Sequence, residues 1–229
     1  MSVETAHPSC SAIIVAAGSS RRMGFDKLSA HLRGKPVLRW TIEAFLAAET
    51  IDSIVVVCPS ERWSLLEGLA FSKPVMRSDG GTDRQDSVSN GLTALPTGTR
   101  FVAVHDGARP LIDPADIDRC IHAAITHQAA TLARRATETI KRSDADDFSL
   151  EALSRDHLWC METPQVFETN LLEQAYQNVA ASSLRVTDEV SAVQGIGAKV
   201  KFIESLQPNL KITTPADLAL AEALLAIKS

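Results

Sequence analysis

Aromatic side chains are scarce in this chain, 5% of 229 residues, so aliphatics and alanine carry most of its 45% hydrophobic content. A core of that composition suits helices packed on a parallel sheet. Cysteine is scarce as well: Cys10, Cys58, Cys120 and Cys160 lie far apart with no C-x-x-C pair. Neither a zinc site nor a dithiol is indicated, and buried free thiols are expected. No apolar run reaches the ~20 residues of a membrane-spanning helix. The segment Met1 to Ser11 has no apolar signal core, which points to a cytoplasmic protein without a membrane partner. Positive charge is not in excess: 23 Lys and Arg against 28 Asp and Glu leave a net charge of −5 and a pI near 5.7. That balance argues against nucleic acid as a partner and restricts anion binding to local clusters of cations. Two phosphate-binding signatures are missing, the G-x-x-x-x-G-K-[ST] loop and the dinucleotide G-x-G-x-x-G. So is any evident Ser-His-Asp or paired-carboxylate machinery.

What the chain does have is a loop near its start. The run Ala12-Ile13-Ile14-Val15-Ala16 flows into Ala17-Gly18-Ser19-Ser20-Arg21-Arg22-Met23-Gly24-Phe25-Asp26-Lys27. An apolar, β-branched run bounded by glycine predicts a buried strand. Small residues after it let backbone N–H groups approach a ligand closely, and two arginines and a lysine follow within reach. Together they make a cradle for a polyphosphate. Taken alone, the same segment has an alternative reading, a strand followed by a basic, solvated turn.

Strand and helix signals then alternate. Strands are expected at Ser53–Cys58, Pro74–Arg77, Phe101–His105, Thr131–Ala136 and Lys199–Ile203. Helices are expected from Pro36 to Ala48, from an N-cap at Ser60, from Thr82 or Asp83 to Ala94, over Pro114–His127 and Thr169–Ala180, near Thr187–Gln194, and over Pro215–Lys228. Thr187 reads as an N-cap, with Asp188 and Glu189 complementing the helix dipole, and Asp217 as a structural cap. The order predicts one α/β domain over 1–229, a Rossmann-like, doubly wound, mostly parallel sheet. Ligands of such sheets bind at the carboxyl ends of strands. The alternation breaks between about 137 and 163, where extended segments flank the polar turn Ser143-Asp144-Ala145-Asp146-Asp147. That excursion predicts a projecting β-hairpin arm packing on a partner subunit.

Three further segments carry candidate chemistry. Val104-His105-Asp106-Gly107-Ala108-Arg109-Pro110 ends a strand with a carboxylate able to hold Mg²⁺ together with phosphates and water. Asp106 is equally a turn-starting residue before a proline. Gly80-Gly81-Thr82-Asp83-Arg84-Gln85-Asp86-Ser87-Val88 joins a strand end to a helix, where paired glycines expose backbone groups able to read a base edge. Lys211 lies in the short run Asn209-Leu210-Lys211-Ile212-Thr213, where a solvated lysine is the plainer reading.

In combination these segments resemble the 2-C-methyl-D-erythritol 4-phosphate cytidylyltransferases. The matching pieces are Ala16-Ala17-Gly18-x-x-x-Arg22-Met23, Lys27, Gly80-Gly81-x-x-Arg84-x-x-Ser87-Val88, His105-Asp106-x-Ala108-Arg109-Pro110, Thr163-Pro164-Gln165, Thr187-Asp188-Glu189-x-Ser191-Ala192 and Asn209-x-Lys211-x-Thr213. They appear in the family's order over nearly the whole chain. The resemblance implies transfer of a cytidylyl group from CTP to 2-C-methyl-D-erythritol 4-phosphate, a Mg²⁺ cofactor and a homodimer joined by the arms. It implies that Arg22 and Lys27 stabilise the α-phosphate, that Arg155 and Lys211 position the methylerythritol phosphate, and that Asp106 holds the metal. Arg109, Thr139 and Thr163 are implied as further substrate contacts. The main chain at Ala16, Ala17, Gly18, Gly80 and Gly81, with Ser87, is implied as the nucleotide pocket. Thr139 and Arg155 lie on the arm and so would serve the partner's site.

The nucleophile such a reaction needs is a phosphate oxygen, already largely dianionic at neutral pH, so no general base is required. The task that remains is holding two anions together, which suits Arg, Lys and Mg²⁺. The chain departs from the family between Met23 and Lys27, where it is shorter, and at Leu28-Ser29, which replace Gln and an aromatic. That opening is locally similar to molybdenum-cofactor guanylyl- and cytidylyltransferases. Lys27 is preferred to Lys35, which stands at a helix start. The alternative acceptor is another polyol phosphate such as ribitol 5-phosphate.

Overall fold

The computed structural model describes residues 7–18, 24–182 and 185–227. In chain order its elements are β1 (Cys10–Val15), β2 (His31–Leu32), β3 (Lys35–Pro36), α1 (Val37–Ala47), β4 (Ser53–Val57), α2 (Ser60–Trp63), β5 (Val75–Ser78), α3 (Arg84–Thr93), β6 (Phe101–Asp106), α4 (Pro114–His127), β7 (Ala129–Arg135), β8 (Ile140–Ser143), β9 (Ser149–Leu153), β10 (Trp159–Glu168), α5 (Thr169–Ala181), α6 (Glu189–Gln194), β11 (Lys201–Glu204) and α7 (Pro215–Ile227).

Seven strands form the central sheet in the order β11-β7-β10-β6-β1-β4-β5. Strands β5, β4, β1 and β6 run parallel, as do β7 and β11. The apolar runs that mark these strands are continuous because both faces are covered. Along β1, Ala12 and Ile14 enter the layer under α1 and α4, while Ile13 enters the layer under α3 and α5. Strand β4 divides the same way, Ile54 and Val56 to one side and Val55 and Val57 to the other. In β6, Phe101 and Ala103 oppose Val102 and Val104. Cys10, Cys58 and Cys120 are free and buried in this core, whereas the free Cys160 is half-buried.

The sheet is mixed, and the odd strand is β10. It runs antiparallel between β6 and β7, pairing Gln165–Glu168 with β6 and Trp159–Met161 with β7. The sequence reading had no strand over 163–168, where Pro164 cannot donate to a ladder. The structure accommodates that proline, after a cis Thr163–Pro164 bond, where the register on β7 shifts between Met161 and Gln165. Beyond it Val166 and Phe167 are fully buried, on opposite faces of the sheet.

The expected arm is therefore smaller than 137–163. The separate hairpin is β8 with β9, and residues 159–163 already belong to the central sheet. Asp144 closes the hairpin turn, its Oδ1 accepting from the N–H groups of Asp146 at 3.0 Å and Phe148 at 2.9 Å. Phe148 and Leu150 project from the arm, 71% and 61% exposed.

Two further expectations are corrected. Ser60 begins α2 rather than capping it, because Pro59 takes the cap position and a 3-10 turn over Ser64–Leu66 ends the segment after one turn. Asp188, not Thr187, caps α6, its Oδ1 accepting from Ser191 N–H at 3.0 Å. Asp217 holds the start of α7 as expected, accepting from the N–H groups of Thr213 and Thr214.

Phe45 of α1 is fully buried, and its ring lies 4.9 Å from that of His105 at the end of β6. Phe45→Ala is expected to cost about 3–5 kcal/mol, lowering the melting temperature by roughly 10 °C for a domain of this size. Thermal unfolding followed by circular dichroism measures it. A loss under ~1 kcal/mol would mean the layer collapses into the space.

Candidate functional site

The carboxyl ends of β1 and β6 lie side by side, with Val15 opposite Asp106. A cleft of about 510 Å³ opens over them, lined by Val15, Ala16, Ala17, Gly18, Lys27, Leu28, Gly81, Thr82, Asp83, Arg84, Ser87, Asp106, Ala108 and Lys211. Four distant stretches of chain thus converge where a parallel sheet presents its ligand face.

The floor is built by close approach. A methyl group on Gly80 would lie 2.3 Å from the Ala17 Cβ, and one on Gly81 would lie 2.2 Å from the Asp86 Cβ. Only glycine brings this turn against both β1 and α3. Asp86 accepts from the Asp83 N–H at 3.0 Å and so fixes the helix start. Ser87, buried, accepts from Gly81 N–H at 3.0 Å and donates to the Asp83 carbonyl at 3.2 Å. Its hydroxyl thereby shapes the turn.

Asp106 organises the other wall. Its carboxylate is 2.8 Å from Lys211 Nζ and 3.4 Å from both Arg84 Nη2 and Arg109 Nε. Burial alone would raise its pKa, but Arg84, then Lys211 and Arg109, hold it well below the usual carboxylate range. Each cation is held from behind. Arg84 pairs with Glu189, a fully buried carboxylate that also accepts from the Tyr176 hydroxyl at 3.0 Å. Arg109 donates from Nη1 to the Asn209 carbonyl at 2.7 Å. Lys211 is brought in because Asn209 Nδ2 donates to the Thr163 carbonyl at 2.7 Å and Ile212 N–H to the Ala108 carbonyl at 2.8 Å.

His105 is fully buried, and desolvation pushes its pKa down to about 3. Its Nε2 faces the Arg109 carbonyl at 3.4 Å, which can only accept, so the neutral ring carries its proton there. Nδ1 then accepts from the Thr163 hydroxyl at 3.0 Å, and that hydroxyl accepts from Asp106 N–H at 3.2 Å. The ring is a spacer that sets the end of β6, with neither nitrogen turned to the cleft.

Of the residues singled out in the sequence, Ala16, Ala17, Gly18, Lys27, Gly81, Ser87, Asp106 and Lys211 line one cleft, with Gly80 directly behind Ala17. Arg109 and Thr163 stand behind Asp106, their polar groups turned to the frame. Thr139 and Arg155 are exposed at the base of the arm, outside this cleft, and Arg155 donates to the Thr137 carbonyl. Arg22 lies outside the described residues. Lys35, on the β2–β3 hairpin, pairs with Glu43 of α1 at 2.6 Å and does not line the cleft.

Arg84 and Glu189 received no site role from the sequence. A signal for Arg84 was present, since a cation in the first turn of α3 opposes the helix dipole and needs another reason to be there. Glu189 suits that dipole at the start of α6, which concealed its pairing.

Among the described residues no three His, Cys, Asp or Glu side chains converge as a cage for a metal ion. Asp106 offers one ionised hard-oxygen donor on the cleft wall. That donor set fits Mg²⁺ held jointly by a carboxylate, substrate phosphates and water.

A mostly parallel α/β sheet whose strand ends carry a cation-rimmed cleft defines a protein that handles phosphate-bearing ligands. Comparison with known proteins narrows this. The profile of the family "IspD: 2-C-methyl-D-erythritol 4-phosphate cytidylyltransferase" matches residues 10–227. A 2-C-methyl-D-erythritol 4-phosphate cytidylyltransferase of Prochlorococcus marinus is 41% identical over 221 residues, covering 95% of this chain and 98% of the relative. One from Pelotomaculum thermopropionicum is 40% identical over 221 residues, covering 93% of each. Among solved structures, the 4-diphosphocytidyl-2C-methyl-D-erythritol synthase of Anaerococcus prevotii superposes with a TM-score of 0.85 at 29% identity, over 95% of this chain and 98% of that one. The chain belongs to the 2-C-methyl-D-erythritol 4-phosphate cytidylyltransferase family.

The buried neutral His105 makes stability depend on pH. Its folded pKa lies below the ordinary 6.5, so its contribution is complete above pH 6.5 and is lost as pH falls from there toward 3. Melting temperature should therefore decline from pH 6.5 to 5 in the native chain. His105→Gln, less stable throughout, should lose that part of the slope. Equal slopes in both would remove His105 as the cause.

Proposed function

We propose that this protein transfers the cytidylyl group of CTP to 2-C-methyl-D-erythritol 4-phosphate, forming 4-diphosphocytidyl-2-C-methyl-D-erythritol and pyrophosphate. The observation that carries this reading is the cleft itself, with Arg84 and Lys211 paired to Asp106, Lys27 on the same cleft and a glycine turn beside them. The family match favours this acceptor over ribitol 5-phosphate.

A phosphate oxygen of the acceptor attacks the α-phosphorus of CTP, and the bond from that phosphorus to the bridging oxygen breaks, releasing pyrophosphate. The acceptor phosphate is already ionised, so the side chains have no proton to remove. Their work is positioning and charge stabilisation. Lys27, on the cleft wall, and Arg22 would stabilise the α-phosphate, whose negative charge grows in the transition state. The turn Gly80-Gly81, with Ser87 behind it, receives the cytosine edge, and Ala16, Ala17 and Gly18 let the nucleotide lie against the backbone. Lys211 holds the acceptor phosphate. Asp106 would hold Mg²⁺ together with the CTP phosphates, and the ion would supply charge neutralisation at the triphosphate.

The working unit is a homodimer. Support comes from the arm, too thin to have a core and carrying the exposed Phe148 and Leu150. Thr139 and Arg155, at the arm's base and outside their own cleft, would complete the partner's site, whose Arg109 and Thr163 would act from behind Asp106. A cytoplasmic location suits a nucleotide substrate and four unpaired cysteines.

The first test is pyrophosphate release from CTP and Mg²⁺ with either methylerythritol phosphate or ribitol 5-phosphate. Turnover with methylerythritol phosphate is expected, and turnover with ribitol phosphate alone would overturn the assignment. Lys27→Ala should lower kcat by roughly 10²–10³-fold with the fold intact; full activity would remove Lys27 from the mechanism. Arg155→Ala should raise KM for methylerythritol phosphate far more than for CTP, and an effect confined to CTP would contradict its role. Light scattering should give the mass of a dimer.

A further inference from the structure

The loop that carries Lys27 is held by a side chain from a neighbouring element. Arg62, in the single turn of α2 that follows β4, is 10% exposed at its side chain and points back across the carboxyl end of β1. Its Nε donates to Asp26 Oδ2 at 3.0 Å, and its Nη1 donates to the carbonyl of Ala16. Asp26 in turn organises the residues after it. Oδ1 accepts from Leu28 N–H at 3.1 Å, and the Asp26 carbonyl accepts from Ser29 N–H at 3.3 Å and Ser29 Oγ at 2.8 Å. Leu28 is buried, and its carbonyl accepts from Leu38 N–H at 3.2 Å. Lys27 therefore sits between two residues that are each pinned, one by Arg62 and one by the core.

We propose that Arg62 is a positioning residue: its guanidinium clamps the Ala16 carbonyl to the Asp26 carboxylate and so fixes Lys27 over the cleft. A planar guanidinium serves both acceptors from a rigid, spaced fork, whereas the three donors of an ammonium radiate from one nitrogen on a flexible stem. Ala16 and Lys27 both line the cleft, so the clamp ties its backbone wall to a cation facing the substrate. Arg62 itself does not line it. The kinetic consequence rests on the proposed function, whereas the structural one does not.

The test uses the full chain as native protein, Arg62→Met, Asp26→Ala, the double variant and Arg62→Lys. Hydrogen exchange of the segment over residues 24–30 reads the clamp directly. In Arg62→Met the amides of Leu28 and Ser29, which Arg62 does not touch, should exchange at least ~10-fold faster. With CTP, Mg²⁺ and methylerythritol phosphate, each single variant should lose roughly 10–100-fold in kcat, as expected when a catalytic group is misplaced by about an ångström. KM for methylerythritol phosphate should stay within about twofold, since Lys211 is held by other contacts. The double variant should be no worse than the more impaired single one, because both break one contact. Arg62→Lys should recover only part of kcat. Unchanged exchange, additive losses, or a parallel rise in KM for methylerythritol phosphate would overturn the proposal. If native protein released no pyrophosphate, the functional reading would fall, and hydrogen exchange would still decide the clamp.

Discussion

Asp106 is a carboxylate at the end of a central strand, 8% exposed, and it stays ionised only because three cations surround it. An isolated charge at that depth would be expensive, and removing any partner would leave its neighbours uncompensated. That constraint reaches outward. Arg84 needs Glu189, which draws α6 against α3; Arg109 and Lys211 need the Asn209 segment, which draws the chain before α7 over β6. With Arg84, Arg109 and Lys211 against Asp106 and Glu189, the cluster keeps a net positive charge facing a cleft that also holds Lys27. A site of that sign attracts a polyphosphate even though the protein as a whole is acidic.

Strand β10 carries this arrangement to the arm. It begins beside the hairpin, where Trp159 pairs with Arg135 of β7, and ends in the sheet beside β6. Between those points Thr163 supplies the hydroxyl that bridges Asp106 N–H and His105, and its carbonyl receives Asn209. Two residues on, Gln165 accepts from Val190 N–H at 3.0 Å and donates to Asp188 Oδ2 at 3.1 Å, anchoring α6. One antiparallel strand thus supports both the carboxylate and the helix that holds Arg84. It also connects the site rigidly to the segment proposed to reach a second copy.

The chemistry asks for little proton transfer, and the site is built accordingly. The histidine nearest the cleft is buried and neutral, engaged at both nitrogens by the frame. The remaining polar groups of the cleft are cations, backbone donors, the hydroxyls of Thr82 and Ser87 and the carboxylates of Asp83 and Asp106. Such a site works by being already arranged before the substrates arrive, which is why so many of its side chains are held by second partners.

Much of this was legible in the sequence. Continuous apolar runs marked β1, β4 and β6, since burial on two faces leaves a signal no neighbour can alter. Pro114 announced α4, and Asp144 the hairpin turn, because helix starts and turns act within a few residues. The glycine pair, Lys27, Asp106 and Lys211 were legible as a group, and they meet in one cleft. The tertiary structure alone decided how β10 would run, because its residues could not report that β6 and β7 would leave a gap for an antiparallel strand. It alone decided that Arg109 turns inward, that Arg84 joins Glu189 across 105 positions, and that Arg62 reaches Asp26 across 36. Charge pairing has no period along the chain: any cation can meet any carboxylate, and only the packing of the elements selects which.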